Sequence, residues 1–284
     1  MQRVFLLCLV LALTGCAPAL QQQLASVQES APSSITEPAL PKNSVLVIHV
    51  FVALCDNVNQ GIVPVSASLG NGDNPQTNLY WGAAFGVKTF FNKNKDWQAV
   101  NPSNASVKSP SVVLDRVVFR HRRTGAFLIA EAYRGSYIQR ATEDFLDAAA
   151  GLPGEKLILS EDGKEVEIYV GGSADLLAYI GHNGLMDFQL SSIPKKRDEE
   201  KREAIILACA SKSYFAESLR STGAKPLLWT TNLMAPEAYI LSAALDGWLN
   251  RETDEQIRMR AAKAYASYQR IGLRGASGLF ATGW

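Results

Sequence analysis

The sequence predicts an α/β fold in which helices flank a mainly parallel central sheet, with small antiparallel additions. The first observation is a set of short apolar runs bounded by glycine or charged residues, such as 176–180 and 204–208. Such runs are typical of strands buried on both faces of a parallel sheet, with a buried helix as the alternative. The second observation is that these runs alternate with helical segments along the chain. A chain of 284 residues, 47 % of them hydrophobic and 19 % charged, can bury a substantial core.

The N-terminus has the pattern of an export signal. Arg3 precedes an apolar run at 4–13 that is too short to span a bilayer. The sequence Leu13-Thr14-Gly15-Cys16 resembles the bacterial lipobox, in which the cysteine is lipidated and becomes the first mature residue. An ordinary secretory signal that carries a cysteine is the alternative. By the same resemblance, Ala17 favours the outer membrane, so we predict a lipid-anchored envelope protein that faces the periplasm.

Composition divides the chain into three parts. Residues 1–15 are the predicted signal peptide. Residues 16–43 are rich in Gln, Ser and Pro and contain few large apolar groups, which indicates a disordered tether. Residues 44–284 then form a single predicted domain.

The first half of that domain predicts one long strand and two hairpins. The run 45–54 is rich in β-branched residues and is the first core strand. Asn78 is placed to cap a helix through Phe91. The other predictions are a weak strand at 97–100, a hairpin of 112–120 with 126–133, a helix at 138–150, and a hairpin of 156–160 with 165–170. For 126–133, the strand of a βα unit is the alternative.

The second half predicts three strands and three helices. The strands are the runs 176–180 and 204–208 and the segment 226–230. Helices are predicted at 213–221, 237–249 and 253–270.

Two of the apolar runs end in residues that can carry catalysis. His182 follows the run 176–180, within Gly181-His182-Asn183-Gly184, and Cys209 follows the run 204–208. Ligands of open α/β sheets bind outside the carboxyl ends of the strands. If the two runs are neighbouring strands, the sequence predicts an imidazole and thiol pair at that edge.

This pattern resembles the caspase, legumain and gingipain clan of cysteine peptidases. In that clan an apolar strand ends in His-Gly, and the next core strand ends in Ala-Cys or a similar pair. Asn183 departs from the pattern because it separates His182 from Gly184. The resemblance implies a caspase-like three-layer sandwich, with the strand that ends at Cys55 beside the His182 strand and the Cys209 strand on its other side. The 27-residue step from His182 to Cys209 is compatible with one crossover helix.

The resemblance also implies covalent amide hydrolysis. Cys209 would attack the carbonyl carbon, His182 would protonate the leaving group and later activate water, and the N–H groups of Gly184 and Cys209 would hold the oxyanion. No third residue is obvious, since Asp187 is expected to cap a turn or face solvent. Loops at the same edge supply the candidate substrate-binding residues Asp56, Asn57, Gln60, Trp229, Thr230 and Asn232. A non-catalytic protein that binds a peptide or glycan on this scaffold is the alternative function.

The cysteines, the other histidines and the net charge indicate whether a disulfide, a metal site or a nucleic-acid partner is expected. A Cys55–Cys209 disulfide is the simple alternative for an exported protein. The implied strand order separates these residues by about 10 Å, beyond the usual Cα limit of about 7 Å. His49 is expected in the core and His121 in a hairpin tip. Because no two histidines have ligand spacing, we predict neither a metal site nor a cofactor. A net charge of +1 gives no field for nucleic acid, so the expected partners are a membrane, through lipid on Cys16, and a peptide or protein substrate.

Overall fold

Ten strands are present in the computed structural model of the protein, which describes residues 42–103, 111–161 and 164–284. They are β1 (Val47–Ala53), β2 (Trp97–Val100), β3 (Val113–His121), β4 (Phe127–Tyr133), β5 (Pro153–Glu161), β6 (Lys164–Gly171), β7 (Leu176–Ile180), β8 (Glu203–Leu207), β9 (Lys225–Thr230) and β10 (Phe280–Ala281). The helices of the same residues are α1 (Val87–Lys93), α2 (Ile138–Ala149), α3 (Ser211–Thr222), α4 (Ala238–Leu249), α5 (Asp254–Gln269) and α6 (Leu273–Leu279).

Eight of these described strands form the central sheet, in the order β10-β9-β8-β7-β1-β4-β3-β2. The five strands from β9 to β4 are mutually parallel. At one edge β10 pairs antiparallel with β9, and at the other β3 pairs antiparallel with β4 and β2 with β3. Strands β5 and β6 form a separate antiparallel pair. The predicted α/β class, with a mainly parallel sheet and antiparallel additions, is confirmed.

Strand β1 shows why the sheet carries a core on each face. Its side chains alternate in direction. Ile48 and Val50 pack in one cluster with residues of α4 and α5, and Val47 and Phe51 pack in the other with residues of α2 and α3. All seven residues of β1 are buried. Each large apolar side chain buried in this way contributes about 1.5–3 kcal/mol. Because helices pack on both faces of the sheet, β1 lies in the middle of three layers.

The two predicted hairpins and the helix at 138–150 are confirmed as β3 with β4, β5 with β6, and α2. The helix predicted from Asn78 to Phe91 is wrong in its first half, because α1 begins only at Val87. Residues 79–86 form turns that depend on glycine. A Cβ on Gly82 would lie 2.0 Å from the Gln76 carbonyl oxygen, so the chain approaches itself too closely for a helix.

The 27-residue step is compatible with a crossover helix, but the structure, which describes every residue between His182 and Cys209, has none there. The connection from β7 to β8 contains only a short 3-10 turn at Gly184–Met186, and residues 187–202 are irregular. The segment Pro194-Lys195-Lys196-Arg197 is followed by further charged residues, with no apolar periodicity that a helix would need in order to pack on the sheet.

The predicted signal peptide, Cys16 and residues 17–41 of the predicted tether lie outside the described residues. Asn43, at the end of that tether, is hydrogen-bonded to the domain: its side chain donates to the carbonyls of Tyr169 and Ser173 at 2.8 and 2.9 Å. Within the described residues, no helix combines the length and the apolar character needed to cross a membrane.

Candidate active site

His182 and Cys209 leave neighbouring parallel strands at the same level. Strands β7 and β8 are paired up to Ile180 and Leu207, and the two candidate residues each stand two positions beyond that pair. Because neighbouring strands are about 4.8 Å apart, this register delivers both residues to one edge of the sheet. The structure also places β1 on the other side of β7, which is the strand order that the resemblance implied.

Asn183 directly joins the segment after β7 that carries His182, the histidine loop, to the segment after β8 that carries Cys209, the cysteine turn. Its side-chain amide donates a hydrogen bond to the Cys209 carbonyl at 2.7 Å, and its oxygen accepts from the Leu185 N–H at 3.1 Å. The residue is fully buried. Gly184, which follows, begins the 3-10 turn, a position whose N–H the turn itself does not use. The residue that interrupts the His-Gly pattern therefore fixes the histidine loop to the cysteine turn.

His182 is oriented by an acid that sequence reasoning did not pair with it. Its Nε2 lies 2.8 Å from Oδ2 of Asp187, and the same oxygen accepts the Gly61 N–H at 3.0 Å. The histidine is 7 % exposed, whereas the Asp187 carboxylate is one-third exposed. A carboxylate on Nε2 favours the tautomer with its proton there, which leaves Nδ1 able to accept a proton.

The Cys209 sulfur is held by the loop that follows β9. It accepts the Met234 N–H at 3.3 Å and lies 3.5 Å from the Met234 carbonyl oxygen. Among the described residues, no hydrogen bond joins this sulfur to the His182 ring. The next residue, Ala210, has φ 48° and ψ 34°, a left-handed conformation that costs a non-glycine residue about 1–2 kcal/mol. This sharp turn separates Cys209 from α3, and such strained positions cluster at functional sites.

The two cysteines of the described domain are both free thiols, so the disulfide alternative is excluded there. Cys55 is buried, and burial raises the pKa of its thiol to about 11. Its backbone N–H and carbonyl both bond to the Asn78 side chain, at 3.0 and 2.8 Å. Tyr80 interacts electrostatically with both cysteines: burial raises its pKa well above the usual value, and Cys55 and Cys209 raise it further. Cys209 is the half-buried thiol of the two.

Three of the predicted substrate-binding residues organise the loop after β1. The Asp56 carboxylate accepts the N–H groups of Val58 and Asn59. The Asn57 side chain bonds the backbone of Val65 through both of its polar atoms. Gln60 donates to the carbonyls of Leu54 and Gly135. Their polar atoms are used within the fold, and the contact of this loop with Asp187, the hydrogen-bond partner of His182, comes instead from the Gly61 N–H.

The other three predicted residues have different surroundings. Trp229 is buried in the core face that contains α3. Thr230 is fully buried, and its hydroxyl bonds the Ala208 carbonyl and Ser211. Asn232 is exposed, and its carbonyl accepts the N–H of Ala210, the residue after Cys209, at 2.9 Å. Of this second group, Asn232 alone lies exposed beside the cysteine turn.

Comparisons of this chain with protein-family models, with curated proteins and with solved structures found no match. The described residues also contain no group of three or more His, Cys, Asp or Glu side chains arranged to hold a metal ion.

Proposed function

We propose that this chain is a lipid-anchored cell-envelope cysteine peptidase or related amide hydrolase that uses Cys209 and His182. The observation that carries the proposal is the direct contact between the two loops, in which Asn183 holds the Cys209 carbonyl immediately after His182. Free thiols are common as buried apolar residues, but Cys209 is half-buried and stands at the ligand-binding edge of a parallel sheet.

The proposed reaction has two covalent steps. The Cys209 thiol gives its proton to Nδ1 of His182, and the sulfur attacks the carbonyl carbon of the amide. As the tetrahedral intermediate collapses, the C–N bond breaks and the imidazolium protonates the leaving amine. Water, deprotonated by His182, then attacks the thioester and releases the acid and the thiol. Asp187 is a positioning residue: by binding Nε2 it keeps Nδ1 available for these proton transfers.

Backbone groups supply the proposed oxyanion site. The N–H groups of Gly184 and Cys209 are the candidate donors. The N-terminus of α3 begins immediately after Ala210, and its partial positive charge favours negative charge developing at this edge. Hydrogen bonds between nucleophile and base are often long without substrate and tighten when it binds. The separate hydrogen bonding of the Cys209 sulfur is consistent with such a resting state.

Exposed apolar side chains at the same edge favour substrates with apolar residues. Val58 and Val63 in the loops after β1 are each 88 % exposed, and Leu233 beside Met234 is 69 % exposed. Met186 of the histidine loop is also exposed. Because apolar side chains exposed beside the site can contact a substrate, we expect cleavage next to apolar rather than charged residues.

Hydrolysis of a peptide library by the full chain in detergent micelles tests the proposal. Activity should disappear in Cys209→Ala and fall about 100-fold or more in His182→Ala, because general acid and base catalysis contributes at least that factor. Asp187→Asn should lower kcat roughly 10-fold or more with little change in KM, and should alter the pH profile. Asp254→Asn is the matched control, since Asp254 pairs with Lys225 at the start of β9, at the amino ends of the parallel strands and away from Cys209. No hydrolysis by the native chain would reject the peptidase.

A second function is favoured by one observation, the engagement of the Cys209 sulfur by Met234 rather than by His182. In this second proposal the chain is a non-catalytic envelope lipoprotein that binds a peptide or glycan at the same edge. Binding that is retained in Cys209→Ala, together with no hydrolysis by the native chain, would select it.

The anchor is part of the proposal and has its own test. Lipid on Cys16 would hold the domain at the periplasmic face of the outer membrane, since several acyl chains give stable anchoring. Incorporation of labelled palmitate into the native chain, lost in Cys16→Ala, is the expected result. Equal labelling of both chains would contradict it.

A further inference from the structure

A cavity of about 800 Å³ lies on the face of the sheet that also packs against α2. His49, Arg116 and Glu131 line it from β1, β3 and β4, and residues of α2 and of the start of β5 line it from the other sides. These side chains point to the core face that includes Val47 and Phe51, not to the edge that carries Cys209. Neither the proposed hydrolysis nor its loops use this cavity.

A buried charged network forms the floor of the cavity. His49 Nδ1 accepts the Gly171 N–H at 3.2 Å, so its Nε2 carries the proton and donates to Glu131 Oε2 at 3.2 Å. Arg116 donates to Glu131 Oε1 through Nε and NH2, at 2.9 and 2.5 Å, and also pairs with Glu155. The Arg116 side chain is only 7 % exposed. Such a network in a sheet face is a weak source of stability compared with apolar packing, which suggests another role.

One donor of this network is unused. The NH1 group of Arg116 is buried and has no hydrogen-bond partner among the described residues. Buried donors of native proteins are nearly always satisfied, and an exception calls for an explanation. Because Glu131 and Glu155 already face this guanidinium, a third anion would be repelled by two carboxylates. The acceptor that suits NH1 is therefore neutral, such as a carbonyl oxygen.

Helix α2 gives the cavity an acidic wall. Glu143, Asp144 and Asp147 line it, with Arg140 as the one cation of this helix among them. Arg140 and the Tyr133 hydroxyl both bond Asp144, at 2.8 and 3.0 Å. Burial raises the pKa of Asp147, which Arg197 and then Arg140 partly offset. The wall has more carboxylates than cations and is complementary to a positive group.

We propose that this cavity is a binding site for a basic peptide residue, with a peptide carbonyl on Arg116 NH1 and an ammonium or guanidinium group on the carboxylates of α2. A lysine or arginine residue within a peptide has both a neutral acceptor and a cation, so one ligand can satisfy both parts of the cavity. The site is independent of Cys209, so it stands whether or not the chain is a hydrolase.

Calorimetric titration of the full chain in detergent micelles with N-acetyl-L-lysinamide tests the site. We expect saturable binding with a Kd of about 1 mM, as for a ligand of about 13 heavy atoms. Binding should weaken as salt is added, because the attraction is partly screened. N-acetyl-L-norleucinamide, which lacks the charge, and pentylamine, which lacks the carbonyl, should each bind at least about 5-fold more weakly.

Variants assign the binding to this cavity. Asp147→Asn, which removes no side-chain hydrogen bond among the described residues, should weaken binding roughly 3-fold to 10-fold. Arg116→Lys keeps a charge for Glu131 but removes NH1, and should weaken it about 10-fold. Should Arg116→Lys fail to fold, Asp147→Asn still decides. Asp254→Asn and Cys209→Ala should bind as the native chain does. Absent binding up to about 20 mM, equal binding of the norleucine compound, or unchanged binding in Asp147→Asn would overturn the proposal.

Discussion

Asn183→Ala is the perturbation that tests how the two candidate loops are held together. The substitution removes the 2.7 Å bond to the Cys209 carbonyl and the 3.1 Å bond from the Leu185 N–H at a fully buried position. Each hydrogen bond has a net value of about 1 kcal/mol, and a stranded buried partner adds about 1–3 kcal/mol. The free energy of unfolding should therefore fall by roughly 2–4 kcal/mol. For a domain of this size the Tm would fall by roughly 5–15 °C.

Urea unfolding of the full chain in detergent micelles, followed by tryptophan fluorescence, measures this loss. Asn78→Ala is the matched control, because Asn78 is equally buried and bonds the backbone of Cys55 in the same manner. Both variants should lose stability, but only Asn183→Ala should also slow the hydrolysis that depends on Cys209. A loss below about 0.5 kcal/mol in Asn183→Ala would refute the argument, since a buried two-bond bridge cannot be removed at so small a cost.

Three further predictions concern single groups. Burial raises the pKa of Glu131, but hydrogen bonds from His49 and Arg116 and the charge of Arg116 outweigh it and hold that pKa at about 2. The stabilisation is thus present above about pH 4.5 and lost toward pH 2. Acid titration of the unfolding free energy should show a loss of about 3 kcal/mol that is absent in Glu131→Gln. The pKa of Cys55 is raised to about 11, so its thiolate absorbance near 240 nm should stay low at pH 9; titration near pH 8–9 would be contrary. Ala210→Val should be roughly 1–2 kcal/mol less stable than Ala210→Gly in urea unfolding, because of the left-handed turn, and equal stabilities would refute this strain.

The core strands of the sheet were predictable because each is marked by its own short run of apolar residues. Parallel strands buried on both faces need continuous apolar residues, and the runs at 45–54, 176–180 and 204–208 supply them. The hairpins of β3 with β4 and of β5 with β6 follow from local turn residues between apolar runs. Helix α6 and strand β10 were not predicted, because both are short and the helix contains Gly275 and Gly278, which weaken the helical pattern.

The contacts of the candidate site were less predictable because they join residues far apart in sequence. Asp187 is fixed by the N–H of Gly61, which lies 126 positions earlier, and no local pattern indicates this bond. Asn78 has the residue type of a helix cap, yet its amide bonds the backbone of Cys55. Side chains that satisfy backbone groups in loops and at helix starts share the same chemistry, so sequence alone does not separate them.

The central claim is that His182 activates Cys209 at one edge of the sheet. The direct measurement is the rate of iodoacetamide alkylation of Cys209 at pH 7 in the full chain, read by mass spectrometry with Cys55 as the internal comparison. We expect Cys209 to react faster than a free peptide thiol, and His182→Ala to slow this reaction about 10-fold or more. Alkylation of Cys209 at the rate of a free peptide thiol, unchanged in His182→Ala, would show that His182 does not activate Cys209.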